Sequence, residues 1–282
     1  MALPDAFPCR VKAIACDLDR TLIDEDLVFR PRTLEAIAAA REAGIHTVIV
    51  TGRMYRSVRR YVEWAQIDDL VVCYQGALVA DPRSGEFLRH VTIPIALARE
   101  AIAVVEAEGF ALNCYVDDNL YVAEMTPESH RYADFQQIPI ETVGDLASWL
   151  TKAPTKLVAI GEPGLLDGLA ERLRAHFGTR LYISKSLPIF LELASPEVSK
   201  GSGLAFVADR LGFTAAETVA FGDGENDLEL LDWAGYGVAV ANANPQVVAR
   251  ADFVCPPVSE EGVAQTIEAM LASGVGPQAA ND

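Results

Sequence analysis

Short apolar runs of four to six residues recur along the chain. They are separated by stretches in which apolar residues return every three or four positions. Residues 11–16, 45–50 and 70–73 read as buried strands, as do 218–221, 237–240 and 252–255. Between them, residues 31–43 place Leu34, Ile37, Ala38 and Arg41 at helical spacing and stop at Gly44. Residues 54–64, 200–211, 245–250 and 262–272 also predict helices, as does a segment through Leu231; Leu204, Val207, Ala208 and Leu211 share one face, and Gly212 closes that helix. Continuous apolar strands alternating with helices predict a parallel sheet covered on both faces.

The rhythm changes at the turn cluster Asp81-Pro82-Arg83-Ser84-Gly85. A helix over 95–108 is followed by strands at 110–116 and 120–124. The connection Asp117-Asp118-Asn119 is too short for a parallel crossover and predicts a hairpin. Residues 128–150 predict short helices around a brief strand. A strand at 156–160, a helix at 164–177 and strands at 181–184 and 189–193 complete the section. We read 83–194 as an α+β domain with antiparallel pairing, inserted into an α/β domain formed by 1–82 and 195–282.

A length of 282 residues suits about two domains, and a hydrophobic content of 51% can bury a substantial core. Met1 to Pro8 and the tail from Gly274 read as loose ends. The net charge of −17 argues against nucleic acid and against an anionic membrane surface. It leaves room for a small phosphorylated metabolite, because a metal and a few local cations can dominate a pocket. The five cysteines have no C-x-x-C spacing; Cys16, Cys73 and Cys255 read as small buried hydrophobes in a reducing compartment. With no apolar leader and no long apolar stretch, the expected location is the cytoplasm. The four histidines show no metal-ligand spacing.

Four polar motifs fall at the carboxyl ends of predicted strands: Asp17/Asp19, Thr51-Gly52, Gln75-Gly76 and the run from Asp223 to Asp227. Open parallel sheets bind ligands along that rim. Asp17 and Asp19 point the same way and repel one another, a cost that a divalent cation offsets most directly. An isolated D-x-D also suits a helix cap or turn; four motifs on one rim exceed what turn preference explains. Asp17, Asp19 and Asp223 offer hard oxygens suited to Mg²⁺. Thr51 can bond a phosphate oxygen, and Lys200 at a helix start adds positive charge. One carboxylate can attack phosphorus, and a second can protonate the leaving alkoxide and then activate water. Dinucleotide, Walker and EF-hand patterns each fail at a required glycine or lysine.

These motifs, in the order Asp17-x-Asp19-x-Thr21, Thr51, Lys200 and Gly222-Asp223-x-x-Asn226-Asp227, resemble those of the haloacid dehalogenase superfamily of phosphatases, in its Cof-like branch with a large α/β cap. Ser259-Glu260-Glu261-Gly262-Val263-Ala264 resembles a late segment of that branch. The resemblance implies a Rossmann-like doubly wound core with an inserted cap. It implies Asp17 as nucleophile and Asp19 as general acid/base. Mg²⁺ would be held by Asp17, the backbone carbonyl of Asp19, and Asp223, with Asp227 supporting from behind. The Leu18 backbone, Thr51, Gly52, Lys200 and Asn226 would contact the phosphoryl group. Two residues depart from the pattern: Arg20 stands where the family usually has glycine, and Gln75 where it often has asparagine. Both are candidates for substrate specificity. The expected activity is Mg²⁺-dependent hydrolysis of a small phosphate monoester through an aspartyl-phosphate. Sugar phosphates come first, then nucleotide or vitamin phosphates. A sugar phosphomutase of the same superfamily and a non-catalytic metabolite-binding protein are the alternatives.

Overall fold

The computed structural model describes residues 2–276; Met1 and residues 277–282, which fall in the expected loose ends, lie outside the described residues. The elements of the first part are β1 (Ala13–Cys16), α1 (Pro31–Glu42), β2 (His46–Ile49), α2 (Tyr55–Trp64), β3 (Val71–Cys73), β4 (Leu78–Ala80) and β5 (Phe87–His90). Next come α3 (Ile95–Ala107), β6 (Leu112–Val116), β7 (Asn119–Val122), α4 (Pro127–Gln136), β8 (Ile140–Thr142), α5 (Leu146–Trp149), β9 (Lys156–Ile160), α6 (Pro163–Phe177), β10 (Tyr182–Leu187) and β11 (Phe190–Ala194). The chain ends with α7 (Lys200–Leu211), β12 (Thr218–Gly222), α8 (Leu228–Trp233), β13 (Tyr236–Val240), α9 (Pro245–Arg250), β14 (Phe253–Cys255) and α10 (Gly262–Ala272).

The chain divides into two compact units. The first takes Met1–Thr51, Arg60–Leu88 and Ser199–Asp282; the second takes Gly52–Arg59 and Arg89–Val198. In the first, a five-stranded sheet runs β14-β13-β12-β1-β2 and every pair is parallel. Its three central strands, β1, β12 and β13, are buried along their length, which is why they read as apolar runs rather than alternating ones. Ala13, Ala15, Val48, Ala220 and Ala239 pack against Leu204 and Val207 of α7 and Leu230 of α8. Ile14, Cys16 and Ile49 alternate to the other side of the sheet, and α1 packs on α10. The α/β fold with a parallel core is as the sequence predicts. The strand order reverses at β1, which lies between β12 and β2 and so marks the crevice where such sheets take their ligands.

Two features were not legible. Residues 78–80 and 87–90 form β4 and β5, which join β3 in a small separate sheet around the 81–85 turn. The N-terminal segment is not loose over its described length either: the Phe7 ring packs on Tyr236 at 4.9 Å, and the Phe7 N–H donates to the Pro4 carbonyl.

In the second unit a six-stranded sheet runs β10-β11-β9-β6-β7-β8. Antiparallel pairing holds for β10–β11, β11–β9, β9–β6 and β6–β7. The β7–β8 pair is parallel, because α4 serves as a crossover between them. The hairpin turn has positive φ at Asp117 (50°) and Asp118 (57°), the twist-matching geometry of a two-residue hairpin loop. One face of this sheet is apolar: Leu112, Cys114, Leu157, Ala159, Leu191 and Leu193 pack under α3 and α6. The other face carries Asn113, Tyr115, Lys156, Glu192 and Ser184, all buried. There the Tyr132 and Phe135 rings of α4 meet Phe190, at 4.9 and 6.0 Å.

Candidate active site

The site is built on the rim of the parallel sheet in the first unit. Asp17 follows β1 directly, its N–H donating to the Phe221 carbonyl at 2.9 Å. Leu18 is fully buried, and its carbonyl gathers the N–H groups of Thr21, Leu22 and Ile23, closing a tight loop. Thr51 is held just past β2: its N–H donates to the Val72 carbonyl at 2.9 Å, and its carbonyl accepts from the Gln75 N–H at 3.1 Å.

Lys200 is the first residue of α7. A reciprocal cap of Ser199 and Ser202 starts the helix there. Close packing sets its position: a Cβ on Gly203 would lie 2.5 Å from Val72 Cγ1 and 2.7 Å from Gly76 Cα. Only glycines let the helix start approach the end of β3 this nearly, which brings the Lys200 ammonium within 2.5 Å of Oδ1 of both Asp17 and Asp227.

Asp223 and Asp227 come from the turn after β12. The second oxygen of Asp227 accepts the N–H groups of Asp223 and Gly224, each at 2.9 Å. A Cβ on Gly222 would lie 2.5 Å from Asp227 Cβ, so glycine is what lets the Asp227 side chain fold back under the strand end. Oxygens of Asp17, Asp223 and Asp227 all lie within 4.8 Å of one another, and all three residues are buried.

The electrostatics follow from that crowding. Burial pushes the Asp17 carboxyl well above its ordinary range, Lys200 opposes the rise, and Asp227, Asp223 and Asp19 add to it. Asp223 is pushed up to about 7, first by burial and then by Asp227, against the pull of Arg20 and Lys200. Burial works against the Lys200 charge, but Asp17 and Asp227 more than offset this and hold the ammonium above its ordinary value. The donor set is therefore oxygen-rich, buried and short of positive charge. These residues fit a hard divalent cation of the Mg²⁺ type, which would relieve the repulsion that Lys200 alone does not.

Arg20, Gln75 and Asn226 connect to this centre within the first unit. Asn226 donates to the Gln75 side-chain oxygen at 3.0 Å, so the longer amide at 75 orients Asn226. Arg20 has φ 62°, the left-handed region that suits the glycine usual at this position. The loop secures it reciprocally: its guanidinium donates to the Asn242 carbonyl at 3.1 Å, and its own carbonyl accepts from Asn242 Nδ2 at 2.8 Å. Its Nη1 also lies 3.5 Å from Asp223 Oδ2. Asn242 was missed in the sequence; it stands in a turn beyond β13 with no motif to flag it. Gly52, the next residue after Thr51, belongs with the second unit.

Residues 14–267 match the haloacid dehalogenase-like hydrolase family, and the chain belongs to it. Among curated relatives, a pyridoxal phosphate phosphatase of Escherichia coli (strain K12) is 29% identical over 270 residues, covering 92% of this chain and 98% of its own. A 5-amino-6-(5-phospho-D-ribitylamino)uracil phosphatase of Bacillus subtilis (strain 168) is 27% identical over 263 residues, covering 90% and 96%. Among solved structures, a protein of Thermotoga maritima superposes with a TM-score of 0.78 at 29% identity, over 92% of this chain and 97% of its own. The subclass IIB sugar phosphatase BT4131 does so with a TM-score of 0.80 at 25% identity, over 94% and 99%.

Proposed function

We propose that the protein is a Mg²⁺-dependent phosphatase that hydrolyses a small phosphate monoester through a phosphoryl group carried on Asp17. The observation that carries this reading is the placement of the Asp17 carboxylate at the crevice of the sheet, between Lys200 and two further buried acids. Asp17, Asp223 and the backbone carbonyl of Asp19 would hold the ion. Asp227 serves from behind, since its oxygens are already engaged by Lys200 and two backbone N–H groups. When bound, the ion supplies positive charge against the phosphoryl oxygens.

Asp17 attacks phosphorus as the substrate alkoxide leaves, and Asp19 gives that alkoxide its proton. Asp19 then takes a proton from water, which attacks the phosphorus and returns Asp17 to its free form. Thr51, Lys200, Asn226 and the N–H groups of Leu18 and Gly52 bind the transferring group. Lys200 also opposes the rise that burial imposes on the Asp17 carboxyl and so favours its ionised, nucleophilic form. The second unit serves as a cap of about a hundred residues that favours small substrates over macromolecules. Relatives named as phosphatases of a vitamin phosphate, a sugar phosphate and a ribityl phosphate support this size class. Sugar phosphates are the first choice, with vitamin and nucleotide phosphates next. Arg20 stands beside Asp223 with its side chain 42% exposed, and we assign it to an anionic part of the leaving group. No helix among the described residues is long and apolar enough to cross a membrane, and five cysteines that form no disulfide suit a reducing cytoplasm.

The test is free-phosphate release from a panel of phosphomonoesters with Mg²⁺, for wild type, Asp17→Asn and Arg20→Gly. The expected result is turnover by wild type, none by Asp17→Asn, and a changed substrate ranking in Arg20→Gly. Full activity in Asp17→Asn, or none in wild type, contradicts the reading; an unchanged ranking contradicts the role of Arg20.

A further inference from the structure

The second unit holds a buried ion pair that the chemistry above does not use. Lys156 opens β9 and is 1% exposed; Glu192, on the neighbouring strand β11, is 3% exposed. The Lys156 ammonium donates to Glu192 Oε2 at 3.0 Å and to the Gly52 carbonyl at 2.7 Å, and it lies 5.2 Å from the Tyr115 ring centroid. Such a pair is a poor source of stability, since apolar residues of the same volume often do as well or better. What an apolar replacement could not do is hold a backbone carbonyl in a fixed direction.

We propose that Lys156, held by Glu192, is a positioning residue for the phosphate-binding turn that starts at Thr51. This rests on the phosphatase reading. In a trans peptide the C=O and the N–H point in opposite directions. The Thr51 carbonyl is fixed by the Gln75 N–H at 3.1 Å, which sets the direction of the Gly52 N–H. The Gly52 carbonyl is fixed by Lys156, which sets the direction of the Arg53 N–H. Two successive backbone donors are thereby oriented before any anion arrives, the condition under which such donors act most strongly on a phosphoryl group. The rest of the segment is secured by the same unit. The Arg56 N–H donates to Asp118 Oδ2 at 2.9 Å, and Ser57 Oγ donates to the Gln136 carbonyl at 2.7 Å. The hairpin tip, the end of α4 and the sheet thus grip one short stretch of chain. Lys156 is the charged member of that grip nearest the turn.

The experiment compares wild type, Lys156→Met and Glu192→Gln below their melting temperatures. It uses para-nitrophenyl phosphate as substrate and inorganic phosphate as competitive inhibitor. Lys156→Met is expected to raise the inhibition constant of phosphate about tenfold and to lower kcat/KM by at least as much. Glu192→Gln, which keeps shape but removes the countercharge, is expected to raise that constant about threefold. A loss confined to kcat with the phosphate constant unchanged is what a smaller folded fraction would give, and it overturns the proposal. So do values within twofold of wild type. If Lys156→Met does not fold, the Glu192→Gln constant decides in the same way. A wild type that releases no phosphate overturns the phosphatase reading and this inference with it; an active wild type with unaffected variants overturns this inference alone.

Discussion

Lys200 places its ammonium 2.5 Å from Asp17 Oδ1, and both groups are buried. Helix α7 and strand β1 are far apart in sequence, yet this contact joins the charge that a phosphoryl group needs to the carboxylate that would attack it. Removing the lysine leaves two acids uncompensated. Lys200→Met is expected to lower kcat/KM by about 10²–10³ through loss of transition-state charge stabilisation. The metal-free protein should also lose about 3–5 kcal/mol, the usual cost of breaking a buried pair from one side. Steady-state kinetics and denaturant melts measure the two effects separately.

Metal binding and pH should be linked. The Asp223 carboxyl is raised in the fold to about 7, against an ordinary value of 3.8. Between those values the unfolded chain is ionised while the folded one holds its proton. Stability therefore falls as pH rises from about 4 to about 7 in the metal-free protein. A cation that binds the ionised site reverses this. The rise in Tm on adding Mg²⁺ is expected to be larger at pH 8 than at pH 5; an equal rise at both contradicts the linkage.

Close packing at Gly203 sets where Lys200 stands. A methyl group there meets Val72 and the Gly76 backbone at under 3 Å. Gly203→Ala is expected to cost about 1–3 kcal/mol through overpacking and to depress activity by moving the start of α7. The reference is Gly164→Ala, where a Cβ meets nothing within 4 Å. A full-activity Gly203→Ala contradicts the placement.

Away from the site, His46 Nδ1 lies 2.8 Å from Asp69 Oδ1. That hydrogen bond raises the imidazole pKa above 6.5, against partial burial. The pair therefore stabilises the fold fully below about pH 6.5, and the contribution is lost as pH rises through the raised value. An NMR titration should find the His46 pKa raised in wild type and lower in Asp69→Asn, where burial and Lys12 act without the carboxylate.

Much of the first unit was legible because its chemistry is local. β1 and β12 are nearly continuous apolar runs, and the polar residues at the ends of β1, β2 and β12 declare the rim. What was not legible depends on contacts distant in sequence. The small sheet of β4 and β5 hides behind a turn cluster that reads as a loop. The β7–β8 pair is parallel because of where α4 crosses, which no local pattern states. Asn242 secures Arg20 from a turn 222 positions away. Lys156 and Glu192 did leave a trace: each is a lone charge in an apolar strand, in Lys-Leu-Val-Ala-Ile and Phe-Leu-Glu-Leu-Ala. Such a charge needs a buried partner, but sequence alone does not say that the partners are each other and the Gly52 carbonyl.

The proposed role of Asp17 as the residue that takes the phosphoryl group can be measured directly. The enzyme with Mg²⁺ is mixed with a turned-over phosphomonoester, quenched in acid within milliseconds, digested and weighed by mass spectrometry. The expected result is one added phosphoryl group on the peptide containing Asp17, absent from Asp17→Asn and lost on treatment with hydroxylamine. Phosphate released at full rate with no labelled peptide, or with the label on another residue, would contradict it.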